Sequence, residues 1–251
     1  MIDFNTHLTE SKVGVSFSEI QSEIYQLEKM YLSLGFEGAV LTNFKEDYFQ
    51  YEIESRLKWK CYVQCKSFNP DQEIWNTPQA KENFGIIGVK IHPRNLGWVP
   101  STEEIVFALR KSVEFDYLIY ICSYLPVGPG MVGSFDFIGQ ISDALAQVPT
   151  AKVVIGHAGV SDLLNASELA RRFESVYLDV SFLLTRMRGT SLMLDLAWLF
   201  STLDRRILFG SDHPDQSLIA SIESFNQLSI NLPDIKKNNI MTLNARNLAG
   251  F

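Results

Sequence analysis

This chain of 251 residues lacks most of the features that announce a partner. It has three cysteines, Cys61, Cys65 and Cys122. They make no disulfide framework and fit a reducing cytoplasm, the expected location. Lys and Arg number 22 against 29 Asp and Glu, a net charge of −7. That balance argues against nucleic acid or an anionic membrane as a partner. No apolar run approaches the roughly 20 residues that a membrane span needs. Met1 leads straight into a strand-like segment with no basic start or long apolar run, so no signal peptide is expected. No strand is followed by a G-x-G-x-x-G or G-x-x-x-x-G-K-[ST] loop, so no nucleotide cofactor is expected. What remains is a small-molecule substrate and, at most, further copies of the same chain.

What is present is a globular α/β composition, 46% hydrophobic and 20% charged. Strand-like and helix-like segments alternate without a linker or repeat, so residues 1–251 read as one domain. The strands are expected at 1–7, 36–42, 59–68, 85–92, 117–123, 152–157, 176–182 and 206–212. Helical segments fall at 18–34, 46–57, 71–83, 102–115, 135–147, 162–173, 191–203, 218–228 and 235–248, with Ser101 as the cap of the fourth. Alternation implies parallel pairing through right-handed crossovers. Eight βα units is the number of the (β/α)8 TIM barrel, preferred here over a doubly wound sheet.

In such a barrel the C-terminal strand tips carry the chemistry. The first strand presents Asn5 and His7, the fourth Lys90 and His92, the fifth Cys122 or Ser123, the sixth His157. The eighth ends in Gly210-Ser211-Asp212-His213-Pro214. Three of the four histidines thus stand at strand tips, and His213 follows Asp212 directly. Singly, each histidine reads as a hydrogen-bonded residue at a loop edge. Their joint convergence with Asp212 points to one site.

Four segments also carry a family resemblance. They are Asp3-Phe4-Asn5-Thr6-His7, Gly88-Val89-Lys90-Ile91-His92-Pro93, Val154-Ile155-Gly156-His157-Ala158-Gly159 and Ile207-Leu208-Phe209-Gly210-Ser211-Asp212-His213-Pro214. Together they resemble the motifs of the amidohydrolase superfamily, most closely its amidohydrolase-related family 2 branch of decarboxylases, lactonases and other hydrolases. The closing Asn244-Ala245-Arg246-Asn247-Leu248 is similar to that branch's terminal helix. The resemblance implies a (β/α)8 barrel with a site at its C-terminal mouth, often holding one divalent metal. Two departures stand out. The family's D-x-H-x-H has Asn5 in place of its first histidine, and the ligating histidine of strand five is replaced by Cys122 or Ser123.

The candidate metal set is therefore His7, Asp212, His157, Asn5 and Cys122, with zinc the best-suited ion for His, Asp and thiolate donors. Asn5 would offer only a neutral carbonyl oxygen, a poor ligand for transition metals, and Cys122 suits a small buried hydrophobe equally well. Weak or sub-stoichiometric metal is the expectation. Without metal, Asp212 would serve as general base on a water while His157 or Lys90 polarises the attacked carbonyl. Asp212 also suits a helix cap, with Pro214 just inside. Lys90, His92 and Arg94 at the fourth tip, and Arg186 and Arg188 beyond the seventh, would favour a carboxylate. Phe4, Trp98, Tyr124 and Phe182 are candidates to line a pocket for a flat or cyclic substrate, and 126–133 for a mobile lid. The function implied is hydrolysis of a small carboxylate-bearing or cyclic ester, lactone or amide. The alternatives are a metal-dependent or metal-free decarboxylase or lyase, and a catalytically inactive ligand-binding barrel.

Overall fold

The computed structural model describes residues 1–9, 17–44, 55–69, 85–125 and 136–251. Its centre is one sheet of eight strands: β1 (Ile2–Thr6), β2 (Gly38–Phe44), β3 (Lys58–Gln64), β4 (Ile86–Ile91), β5 (Leu118–Cys122), β6 (Val153–Gly156), β7 (Val176–Asp179) and β8 (Ile207–Leu208). Neighbours in the chain are neighbours in the sheet, and all pairs are parallel. The expected α/β architecture, a TIM barrel, is what the chain adopts. Of the expected helices, 71–83 and nearly all of 46–57 lie outside the described residues, as does the stretch 126–133.

Because a parallel barrel sheet is covered on both faces, its strands read as near-continuous apolar runs. Leu118–Cys122 is buried throughout. Ile119 and Ile121 pack outward in the large core under the helices. Leu118, Tyr120 and Cys122 pack inward with Ile2, Phe4, Val40, Tyr62, Val154 and Leu208. This inner layer is a filled core rather than a pore. Tyr62 sits against Phe4 and Tyr120, with ring centroids 6.2 and 5.4 Å away. Ala245 and Ala249 from the terminal helix Asn244–Ala249 join that inner layer.

Local signals were read correctly at several ends. Ser101 caps the helix Thr102–Phe115 in a full capping box with Glu104. The seventh and eighth strands are shorter than the sequence suggests. β7 stops at Asp179 because its carboxylate accepts the Ser181 backbone N–H at 3.0 Å and turns the chain. Two short helical turns, Pro93–Leu96 and Leu183–Arg186, were not expected from the sequence. The first is started by His92, whose ring Nδ1 accepts the Asn95 N–H at 3.3 Å.

The first and last strands join through Phe4 N to Phe209 O (2.9 Å), Asp212 N to Asn5 O (2.7 Å) and His7 N to His213 O (2.8 Å). Asp3 fastens this seam. Its Oδ1 accepts the backbone N–H groups of Ser211 (2.9 Å) and Asn5 (3.1 Å). Its Oδ2 accepts the hydroxyls of Ser211 (2.5 Å) and Tyr31 (2.7 Å). Burial pushes the Asp3 carboxyl up to about 7, although all four donors pull the other way. The register of β1 slips between Asp3 and Thr6. Such a bulge re-aims side chains, and here both Phe4 and Asn5 reach the barrel interior.

Asp3→Ala would leave those donors buried and unpaired, each worth about 1–3 kcal/mol. The expected result is a loss of roughly 2–4 kcal/mol in urea unfolding, and a loss below about 1 kcal/mol would remove Asp3 from its place as the fastener.

Candidate functional site

Three strand tips around the mouth share an unusual backbone. His157, Phe182 and Asp212 have φ of 57°, 66° and 62°, in the left-handed region that non-glycine residues seldom adopt. Each conformation costs about 1–2 kcal/mol. Ser123 supports the first of these turns, donating to Gly156 O at 2.5 Å and accepting the Gly159 N–H at 3.0 Å. That leaves Cys122, and not Ser123, as the fifth-strand residue facing inward.

Beneath the mouth lies a buried polar network with a fixed direction. Lys90 Nζ donates to Thr42 Oγ1 at 3.0 Å, and Thr42 Oγ1 donates to Asn5 Oδ1 at 2.8 Å. The Asn5 oxygen is thereby committed, so its amide nitrogen points the other way. Asn5 Nδ2 has Ser181 Oγ at 2.7 Å, Tyr120 Oη at 2.9 Å, Asp179 Oδ2 at 3.2 Å and Asp212 Oδ1 at 3.4 Å. Tyr120 and Ser181 pass their own protons to Asp179 Oδ2, at 2.6 and 2.5 Å. Asp179, wholly buried, is the terminal acceptor.

His157 is tied into the same network. Its Nδ1 lies 3.0 Å from Ser181 Oγ and 3.3 Å from Ser181 O. The carbonyl can only accept and the hydroxyl proton is spent on Asp179, so Nδ1 carries a hydrogen. Cys122, facing inward at the end of β5, pairs with Gly156, the residue before His157. Burial alone would raise the Cys122 thiol, but the charge and hydrogen bonds of the His157 and His92 imidazoles bring it well below the usual thiol range. Burial alone would likewise lower His157. The charge and hydrogen bond of Cys122, aided by Asp212 and Asp179, push it up to about 9 instead. Lys90 is lowered by burial, with Cys122, Asp212 and Asp179 acting against that shift.

At the rim, the Arg94 guanidinium covers the Tyr124 ring at 4.8 Å, and its Nη2 is 3.5 Å from His92 Nε2. Tyr124 meets Phe182 at 4.7 Å between centroids, and Phe182 meets His157 at 5.5 Å. Other candidates fall elsewhere. Phe4 packs in the barrel interior. Trp98 is exposed, with its Nε1 3.4 Å from Glu104. Arg188 donates to the backbone oxygens of Leu184 and Ala220, and Arg186 is exposed. Lys90 is inside the barrel, 5.2 Å from the Tyr120 ring, and its observed partner is Thr42.

The model of the amidohydrolase family matches residues 78–251, over two thirds of the chain. The chain belongs to the amidohydrolase family. Solved structures agree on the fold. An uncharacterised TIM-barrel protein from Bordetella bronchiseptica is 15% identical with a TM-score of 0.70, covering 100% of this chain and 99% of that one. A dihydroorotase from Campylobacter jejuni is 13% identical with a TM-score of 0.61, covering 100% and 83%. The 5-carboxyvanillate decarboxylase from Sphingomonas paucimobilis is 12% identical with a TM-score of 0.59, covering 92% and 83%. At these identities the likeness establishes the barrel alone. The comparison with curated proteins gave no match.

The divalent ion that the resemblance implies does not suit the donors of this amidohydrolase. A metal ligand must offer a lone pair to the mouth, whereas Asn5 offers N–H and spends its oxygen on Thr42. Lys90 Nζ, 3.0 Å from Thr42 Oγ1, puts a cationic group beneath the same mouth. His7 Nε2 is 4.0 Å from Asp212 Oδ1 and 3.6 Å from Asp215 Oδ2, a remnant pair at the rim. Among the described residues, no group of three or more His, Cys, Asp or Glu is placed to hold a metal ion. Of the five residues expected from the sequence as a metal set, Asn5, His157, Asp212 and His7 are joined through Ser181 and the Asp212 carboxylate, and Cys122 packs in the inner layer.

Sequence reasoning missed Thr42, Tyr120, Asp179 and Ser181. The signal for Asp179 was present: an acidic residue interrupting an apolar strand, Val176-Tyr177-Leu178-Asp179-Val180. Two glycines of the recognised motifs make room for this network. A Cβ on Gly156 would stand 2.4 Å from the Tyr120 hydroxyl, and one on Gly210 would stand 2.2 Å from Asp179 Oδ1 and 2.9 Å from Ser181 Cβ. Gly210→Ala should therefore lower stability by about 1–3 kcal/mol through overpacking. An unchanged thermal midpoint would show that Asp179 can move aside freely.

Proposed function

We propose that this amidohydrolase hydrolyses a small carboxylate-bearing or cyclic ester, lactone or amide without recruiting a divalent ion to the Asn5 position. The observation that carries this reading is the convergence of Asp212 and His157 on one network at the mouth: Asn5 Nδ2 is 3.4 Å from Asp212 Oδ1 and 2.7 Å from Ser181 Oγ, which lies 3.0 Å from His157 Nδ1. A carboxylate thus shares the mouth with an imidazole whose pKa is pushed up to about 9. Asp212 acts as general base on a water. It is among the buried residues, with His7 4.0 Å away and Asn5 Nδ2 3.4 Å away as neighbours that orient it. His157 polarises the attacked carbonyl as an imidazolium and then gives a proton to the leaving group. Arg94, backed by Tyr124 and beside His92, receives the substrate carboxylate. Lys90 contributes from below, by fixing Thr42 and hence the direction of Asn5.

The test is a panel of lactones, aromatic esters and small amides, with product analysis. Asp212→Asn keeps the shape and removes the base, so turnover should fall by ~10²–10⁴-fold with the circular-dichroism spectrum unchanged. Near-normal turnover would remove Asp212 from that role. Carbon dioxide release from unsaturated or aromatic acids would replace hydrolysis with decarboxylation.

The protonated His157 also sets a pH limit. Burial favours loss of the proton, but Cys122, Asp212 and Asp179 outweigh it and push the pKa of His157 up to about 9. The acid form is the working form, so kcat/KM should decline as pH rises through about 9. A plateau running well beyond that value would mean that the proton on His157 is not used.

A further inference from the structure

Two inward side chains at the floor of the mouth hold hydrogen-bonding groups that the Asn5 network does not use. Gln64 ends β3, Lys90 lies on β4, and the two are partners in register. Tyr62, two residues before Gln64, packs in the inner layer, while Val89 and Ile91 on either side of Lys90 pack outward. By strand alternation both Gln64 and Lys90 therefore face the interior. The direction of the Gln64 amide is fixed. Its Nε2 donates to the Thr42 backbone oxygen at 3.0 Å, and a carbonyl can only accept, so Oε1 is turned the other way. Among the described residues that oxygen is buried and has no hydrogen-bond partner, although the Gln64 side chain as a whole is partly exposed. Lys90 Nζ spends one hydrogen on Thr42 Oγ1 at 3.0 Å. As amine or ammonium it keeps at least one more, and none goes to Gln64 Oε1. Adjacent strands thus present a spare donor and a spare acceptor that do not satisfy each other.

A buried acceptor without a donor is rare in a folded interior, and this pair defines the group that would complete it. An oxygen that accepts from Lys90 Nζ and donates to Gln64 Oε1 satisfies both, and a hydroxyl is the smallest substrate group able to do so. A carboxylate would suit Lys90 but set two acceptors against each other at Gln64. We propose that Lys90 and Gln64 form a subsite for a substrate hydroxyl, so that the substrate of this mouth is a hydroxylated carboxylate and not a dicarboxylate. This rests on the reading above, in which Arg94 receives the carboxylate, and names the group at the other end. The two ends lie on one side of the barrel. His92 is the next inward position after Lys90, and Arg94 Nη2 is 3.5 Å from His92 Nε2. The hydroxyl therefore sits deeper and the carboxylate nearer the rim. Thr42 ties the subsite to the rest of the floor: its Oγ1 accepts from Lys90 and donates to Asn5, and its backbone oxygen accepts from Gln64. A site that hydrogen-bonds a substrate hydroxyl rejects the analogue lacking it far more strongly than a site that only packs, because its own polar groups are then left unpaired.

The test is the binding of unreactive acids to the native protein, measured by isothermal titration calorimetry. The probes are cyclohexanecarboxylate, its ring-hydroxylated positional isomers and the corresponding cyclohexanedicarboxylates. At least one hydroxy acid should bind about tenfold or more tightly than the parent acid, and no dicarboxylate should show that gain. Gln64→Met keeps the length of the side chain and removes the acceptor, so the gain should shrink to within about twofold while the circular-dichroism spectrum is unchanged. Lys90→Met should abolish the gain as well. Its side chain is buried, so if that variant fails to fold, the partly exposed Gln64 carries the test. A gain retained in Gln64→Met, or no gain for any hydroxy acid on the native protein, would overturn the proposal and leave the donor and acceptor to a bridging water. A dicarboxylate bound as tightly as the best hydroxy acid would overturn the choice of a hydroxyl. Arg94→Gln reads the other end: it should weaken all the acids alike, by about tenfold or more, with the hydroxyl preference kept. Unaltered affinities in Arg94→Gln would strike the carboxylate reading instead, while the Gln64 comparison is still decided on its own.

Discussion

The seam between the first and last strands is the constraint on which the mouth depends. Asn5 and Asp212 come from opposite ends of the chain, and the Asp212 N–H to Asn5 O bond of 2.7 Å places their side chains together. Asp3 makes that contact specific in register, because it engages both the backbone and the hydroxyl of Ser211. A slip of one residue would turn the inward side chains outward. The bulge in β1 is part of the same device: it lets Phe4 fill the barrel while Asn5, the next residue, also faces inward.

Electrostatically, the barrel handles its buried charges by ordering them. Lys90 begins a line of donors that passes through Thr42 and Asn5 to end on Asp179. His157 joins the same network through Ser181, which donates to Asp179. Buried ionised groups are tolerated only when hydrogen bonds or opposite charges compensate for the lost water. The amide of Asn5 does with two hydrogens what a cation would do with charge: it gives the acceptors of Tyr120, Ser181, Asp179 and Asp212 a common neighbour. A fully connected network of this kind favours a single arrangement of side chains.

Much of this was legible in the sequence. Strand alternation and turn residues located the barrel, and the tips of strands one, four, six and eight were read from Asn5, His92, His157 and Asp212. The interior partners were not. In a strand buried on both faces, apolar content cannot reveal which parity points inward. Tyr120 therefore reads as one more core residue until its hydroxyl is seen on Asp179. Thr42 and Ser181 are small hydroxyl residues whose roles exist only through neighbours distant in sequence. Long side chains were misjudged for a different reason. Arg188 sits beyond a strand tip, but its reach lets it satisfy helix carbonyls away from the mouth. The amide direction of Asn5, which decides against the metal set, depends on a hydroxyl 37 residues away.

The left-handed backbone at His157, Phe182 and Asp212 has a consequence for how such a mouth can diversify. At these positions the side chain is chosen first by the backbone and only then by chemistry. Residues branched at Cβ are nearly barred there, and Asn, Asp, His and Gly are the ones the conformation admits most readily. The alphabet available to three of the tips is thus short. New specificity on this scaffold is more open to change from rim positions outside the left-handed region, such as Arg94 and Tyr124, where larger and branched residues meet no such restriction. The mouth is accordingly a set of backbone-restricted positions, His157, Phe182 and Asp212, beside a permissive edge, a division written into φ angles rather than into side-chain identity.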